Sequence, residues 1–162
     1  MPAPDTTNTF FALIKNPISF RLFLLHKLPA AYFSGLRIIS INETSCKVSV
    51  PYKWFTKNPF RSTYFACLSM AAELSTGALV MATIYKRKPA ASMLPVAMES
   101  TFYKKATGRT TFICKDGMTI KEAVQKAYDS SLPQSITVHS SGYNSNGELV
   151  ATFQFNWSIK VK

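Results

Sequence analysis

The clearest pattern in the chain is its last one. Leu149, Ala151, Phe153, Phe155, Trp157, Ile159 and Val161 alternate without a break, which predicts a long strand over 148–161 with one buried face. Asn144-Ser145-Asn146-Gly147 turns it back onto a strand over 135–143. Nearer the start, 36–41 and 46–52 read as strands around Asn42-Glu43-Thr44, the second setting Cys46, Val48, Val50 and Tyr52 against Ser45, Lys47 and Ser49. Beyond Pro95, Val96, Met98, Ser100 and Phe102 alternate with Ala97, Glu99, Thr101 and Tyr103. This predicts a strand that turns at Ala106-Thr107-Gly108 and a hairpin partner over 109–115.

Helical spacing appears in three places. Phe20, Phe23, Leu24 and Leu28 predict a short amphipathic helix over 17–28, ended by Pro29 and Gly35. Thr119 with Glu122 three residues on is a capping-box pattern, and Ile120, Val124, Ala127 and Tyr128 continue it as a helix that stops before Pro133. Between them, after the turn Lys57-Asn58-Pro59, a helix over about 61–83 is apolar on nearly every side.

The stretch from Tyr64 to Tyr85, which holds most of that helix, is the one candidate for a membrane span, with Arg61 before it and Lys86-Arg87-Lys88 after it. Glu73 lies near its middle, where a carboxylate at mid-bilayer costs about 2.5 to 3.5 kcal/mol. The expectation is therefore a core helix, enclosed by the rest of its domain, and no membrane span. One apolar helix among strands and hairpins predicts an α+β chain with an antiparallel sheet curled around that helix.

Composition narrows the picture. The chain has 162 residues, enough for one core, and 47% of them are hydrophobic, 12 of these Phe and 7 Tyr, which excludes a disordered chain. The formal charge is +11, which favours anionic partners. Phe and Tyr alternate along strands as core residues do, without an interleaved basic and aromatic face, so nucleic acid is not expected. Cys46, Cys67 and Cys114 are odd in number and widely spaced, which fits a reduced cytoplasm, and Asp5 stands where an export signal would carry positive charge.

Candidate chemistry is sparse. His26 and His139 are far apart in sequence and the cysteines form no close ligand pair, so no metal site is expected. Cys67 lies in an apolar helix, where a packed thiol is the ordinary state. The six glycines are scattered singly, without a phosphate-binding loop. Glu73 differs, because a carboxylate in such a helix must be paired, hydrogen-bonded or placed at a cavity. Two readings stay open: a general base or nucleophile, or a structural ion pair with Arg61 or Lys57.

The stretch Asn58-Pro-Phe-Arg-Ser-Thr-Tyr64-Phe65-Ala66, with Glu73 following on the same helix, resembles the start of the central helix in hot-dog-fold acyl-CoA thioesterases of the phenylacetate-pathway type. The resemblance spans about 35–161 and is closest to an uncharacterised branch whose members carry an N-terminal helix. It implies a hot-dog core over 35–162 behind a helical extension over 1–34, and a homodimer or tetramer with the acyl chain near the dimer interface. It also implies an acyl-CoA or acyl-carrier thioester as partner, with no cofactor beyond the coenzyme A of the substrate. Glu73 would match the acid that activates water or attacks the thioester, Asn58 the amide that orients it, and the Phe65 N–H the oxyanion donor. The family's His-Gly-Gly is Tyr64-Phe65-Ala66 here, which would put Tyr64 and Ala66 against the substrate. Lys104, Lys105 and Arg109 around one turn, and Lys86, Arg87 and Lys88, would supply cations for the phosphates of coenzyme A. The alternative is a non-catalytic hot-dog acyl-binding or assembly protein in which Glu73 is structural.

Overall fold

The computed structural model describes residues 6–162; Asp5, which argues against an export signal, lies outside the described residues. Six antiparallel strands form one sheet: β1 Arg37–Ile41, β2 Cys46–Val50, β3 Ala91–Phe102, β4 Thr110–Cys114, β5 Gln134–Tyr143 and β6 Leu149–Val161. Their order across the sheet is β1-β2-β4-β5-β6-β3. The helix α4, Phe65–Ile84, touches every strand from β2 to β6 on one side. Three more helices touch it: α1 Thr6–Lys15, α3 Pro29–Ser34, and α5 Gly117–Ser130, which also packs on β5 and β6, while α2, Pro17–Lys27, rests on α1 and α3. This is the hot-dog arrangement, with a helical layer ahead of it.

The sheet's inner face follows the period of two. Ala151, Phe153, Phe155, Trp157 and Ile159 of β6 are buried, as are Cys46, Val48 and Val50 of β2. Most of α4 is enclosed, including Leu68, Ala71, Ala72, Leu79 and Val80. Although α4 is long and apolar enough to cross a membrane, two thirds of its most apolar window is buried, as befits a core helix. One position of β5 must stay small to make room for a neighbouring ring. Gly142 stands opposite Phe112 in the β4–β5 ladder, and a Cβ there would lie 2.5 Å from the Phe112 ring.

Three sequence expectations are corrected. The strand 109–115 is not the hairpin partner of the one before it: β4 pairs with β2 and β5, whereas β3 crosses to the far edge and pairs with β6. Alternation fixes which residues face inward, but both edges of β6 present the same ladder, so it carries no information about the neighbour. β3 also starts at Ala91 and runs through Pro95, which an edge strand accommodates because a residue facing solvent needs no ladder N–H; a register shift falls at Pro95/Ala97. The central helix begins at Phe65, not 61. Arg61 takes a left-handed φ of 59°, and Thr63 N and Oγ1 both bond to Ala106 O, at 2.8 and 3.1 Å, which holds the chain out of helix until Tyr64. The helix over 17–28 is present as α2, joined by α1 and α3, which were not expected.

Gly142→Ala should lower the urea midpoint of unfolding by an amount worth about 1–3 kcal/mol, because the buried Phe112 ring has no room to withdraw. Gly108→Ala, where a Cβ would meet nothing within 4 Å, should stay within about 0.5 kcal/mol of the natural protein.

Candidate functional site

The turn that precedes α4 is laced by polar side chains. Asn58 Oδ1 accepts from Phe60 N at 3.0 Å and Ser62 N at 3.2 Å, and Asn58 Nδ2 donates to Ser62 Oγ at 3.0 Å. Thr56 Oγ1 donates to Pro51 O at 2.8 Å and accepts from Lys53 N at 3.0 Å, and Tyr64 N donates to Thr56 O at 2.7 Å. The chain therefore enters the helix on a fixed path. Tyr64 is the N-cap without a side-chain cap bond, and the N–H groups of Phe65 and Ala66 find no acceptor among the described residues. Unpaired donors and the positive end of the helix dipole together favour negative charge at this point. The side chains of Tyr64 and Phe65 are about half exposed there.

Two turns further along α4, Glu73 faces a cavity of about 270 Å³ whose walls are otherwise apolar. Phe20 and Phe23 of α2 roof it, Met93 and Pro95 of β3 close one side, and Gly77 and Trp157 form the floor. Gly77 is what lets the carboxyl lie back along the helix: a Cβ there would sit 3.0 Å from Glu73 Oε1 and 3.3 Å from the Trp157 ring. The indole is fixed in turn, its Nε1 donating to Thr76 Oγ1 at 3.1 Å while that hydroxyl donates to Glu73 O at 2.9 Å.

Among the described residues the Glu73 carboxyl has no ion pair, and neither Lys57 nor Arg61 reaches it. Burial alone pushes its pKa above the ordinary carboxylate value. The placement at a cavity, one of the alternatives for a carboxylate in such a helix, is the one found.

The other residues singled out fall in two groups. Asn58, Tyr64, Phe65 and Ala66 gather at the start of α4, and the loop bearing Lys104, Lys105 and Arg109 is stitched to them through the Thr63–Ala106 bonds. Lys104 pairs with Glu148, Arg109 Nη1 donates to Ser49 Oγ at 3.2 Å, and Lys105 is exposed. Glu73 stands apart, since none of these residues lines its cavity. Eight residues of helix at about 1.5 Å each put it roughly 12 Å along the axis from Phe65. In the second basic cluster, Arg87 is engaged, stacked 3.8 Å over Tyr128 and bonded to Gln125. Cys67 is a packed thiol 4.0 Å from Ser34 Oγ, far from His139, which bonds to Asp116.

Sequence reasoning missed the cavity walls contributed by Phe10 and Ile14 of α1. Their spacing of four was a legible helical signal, followed by the break at Asn16-Pro17, where Asn16 Oδ1 caps α2.

A carboxyl that holds its proton more tightly in the folded state stabilises the fold below its unfolded pKa of about 4.3, and this contribution is lost as pH rises through the folded pKa. Gln carries no such proton. Glu73→Gln should therefore melt at a higher temperature than the natural protein at pH 7, with the difference closing toward pH 4. A lower melting temperature for the variant at pH 7 would mean that a cation holds the carboxylate.

Known proteins share this architecture. A Pseudomonas aeruginosa protein of unknown function, named as a probable thioesterase, superposes with a TM-score of 0.73 at 20% identity, over 100% of this chain and 99% of that one. A Haemophilus influenzae thioesterase gives 0.58 at 10% identity, over 86% and 88%. The Escherichia coli PaaI protein of the phenylacetic acid degradation operon gives 0.62 at 13% identity, over 93% and 96%. At such identities the likeness shows the fold alone, the hot-dog fold. No curated protein matches the chain. The family described as a domain of unknown function, DUF4442, matches residues 19–159, from α2 to the end of β6, and the chain belongs to that family.

Proposed function

We propose that this protein is an acyl-CoA or acyl-carrier thioester hydrolase that works as a dimer, with Glu73 as its general base. The observation that carries the reading is the lone carboxyl of Glu73 at the mouth of an apolar cavity. The cavity accepts the acyl chain, and the carboxyl meets the one polar group such a substrate brings, its thioester. Glu73 takes a proton from water, the hydroxide oxygen adds to the thioester carbonyl, and collapse of the tetrahedral intermediate breaks the carbon–sulfur bond. The proton then passes to the departing thiolate, leaving a carboxylic acid and free thiol. A base whose pKa is raised toward neutrality by burial is better matched to this task than an ordinary carboxylate.

The oxyanion needs donors, and the Phe65 and Ala66 N–H groups are the free pair. A separation of roughly 12 Å along one helix prevents Phe65 and Glu73 of the same chain from touching one carbonyl. A second copy, with its helix start facing this Glu73, removes the difficulty. β3 favours such a partner: it is a long edge strand with Leu94, Val96 and Met98 exposed, and its Met93 and Pro95 border the cavity. Lys105 and Arg109, beside the helix start, are then the cations for the phosphates of coenzyme A, and Asn58 acts by shaping the turn. The cytoplasm, where acyl thioesters are made and used, is the matching compartment for three free cysteines.

Light scattering should give a dimer or larger at micromolar concentration, and a stable monomer would defeat the shared site. In a panel of acyl-CoA substrates, Glu73→Gln should lose about 10²- to 10⁴-fold in turnover while keeping its fold. Phe65→Pro deletes one donor at the first helical position, where proline is tolerated, and should cost about 10²-fold or more. Mixed dimers of the two inactive variants should regain activity, since one of their two sites has both groups intact. If mixing restores nothing, the site is not shared, and if Glu73→Gln turns over normally the residue is not the base.

A further inference from the structure

The outer face of α2 is apolar and uncovered. Ile18, Leu22 and Leu25 follow one another at helical spacing and are 72%, 61% and 43% exposed, while Phe20 and Leu24 on the opposite face are buried in the core. A helix apolar on both sides is ordinarily enclosed on both. Among the described residues, only the inner side is covered.

What covers the outer side is indicated by charge. On a helix of about 3.6 residues per turn, Arg21 and His26 flank the Ile18–Leu22–Leu25 stripe on either edge. Beside the stripe a groove of about 730 Å³ runs between α2 and β1; Lys15, Arg21 and Arg37 line it together with Ile18, Leu22 and Ile39. The Arg21 guanidinium is stacked 3.9 Å over the Tyr32 ring, its Nη2 donates to Tyr32 O at 3.4 Å, and its buried Nη1 finds no acceptor among the described residues. From Thr6 to Asn42 the chain holds Lys15, Arg21, Lys27 and Arg37 and no Asp or Glu at all. The groove is thus cationic and apolar at once, and among the described residues no carboxylate lines it.

We infer that α2 is an interfacial docking helix, which seats this face of the protein on a bilayer containing anionic phospholipid. Ile18, Leu22 and Leu25 enter the boundary between headgroups and acyl chains, and the groove cations take lipid phosphates. A second copy is the poorer occupant, because two such faces brought together would set Lys15, Arg21 and Arg37 against their own counterparts. A protein partner would have to be both apolar and acidic, whereas an anionic bilayer has that composition throughout. The reading does not depend on thioester hydrolysis, and the two fail separately.

Flotation of the full chain with vesicles tests it. Binding is expected to vesicles of phosphatidylcholine and phosphatidylglycerol in equal parts, weak or absent with phosphatidylcholine alone, and reduced as salt is raised. Inorganic phosphate and glycerol phosphate at millimolar concentration should not displace the protein from vesicles; displacement would mean a site for free anions and overturn the docking. Ile18→Ser with Leu22→Ser should weaken partitioning roughly tenfold or more, in proportion to the apolar area withdrawn from the interface. Lys15→Gln and Arg37→Gln should each weaken it about fivefold. These side chains are exposed, so unchanged circular dichroism and melting temperature are expected to accompany the losses. No binding to either vesicle, equal binding to both, or a double serine variant that still floats but runs as a smaller oligomer would each refute the proposal, the last by assigning the face to a second copy.

Discussion

The structure rests on the enclosure of α4. A twenty-residue helix with no polar face cannot sit on a surface, so a sheet must curl beneath it and further helices must close over it. Burying its apolar side chains is the dominant favourable term available to a chain of this size. Two glycines serve the same close packing: Gly77 lets α4 approach Trp157 of the sheet, and Gly142 leaves room for the Phe112 ring of the neighbouring strand.

Enclosure also creates the chemistry. A carboxyl placed midway along such a helix loses much of its water by construction, and among the described residues nothing cationic is brought to meet it. The cavity beside Glu73 is the remaining space between α4, the edge strand β3 and the roof of α1 and α2. Its apolar walls and its single titratable group therefore have one origin. The start of α4 is the second place where the helix cannot satisfy itself, and there the unpaired groups are backbone N–H donors. The two ends of this imbalance, a lone acid and lone donors, lie on one element but too far apart to act together within one chain.

Much of this was legible from residue order. Glu73 stood out because it violated the pattern around it, and the alternation of β6 located the buried side chains from Ala151 to Ile159, though not Val150, which is buried out of phase with them. Strand partners were not legible: the inward face of β4 is the same whichever neighbours it has, and only the closed sheet decides. The true start of α4 was hidden because the signal lies in hydrogen bonds from Thr63 to Ala106, forty-three residues away. The helix α1 was passed over because Phe10 and Ile14 make a short periodic stretch next to a proline break, and such a stretch gains its stability from the helix it packs on.

The turn before α4 has a bearing on how this site diverges. Its shape is held by Thr56, Asn58, Ser62 and Thr63 through bonds to the main chain, while the side chains of Tyr64 and Phe65 point away from those bonds. Scaffold and surface are thus encoded by different residues of the same short segment. Positions 64–66 can drift between small and bulky side chains, reshaping what approaches the helix, without the backbone donors moving. On the proposed thioester reading, substrate preference becomes a trait that mutation alters one side chain at a time, on an entrance that stays put.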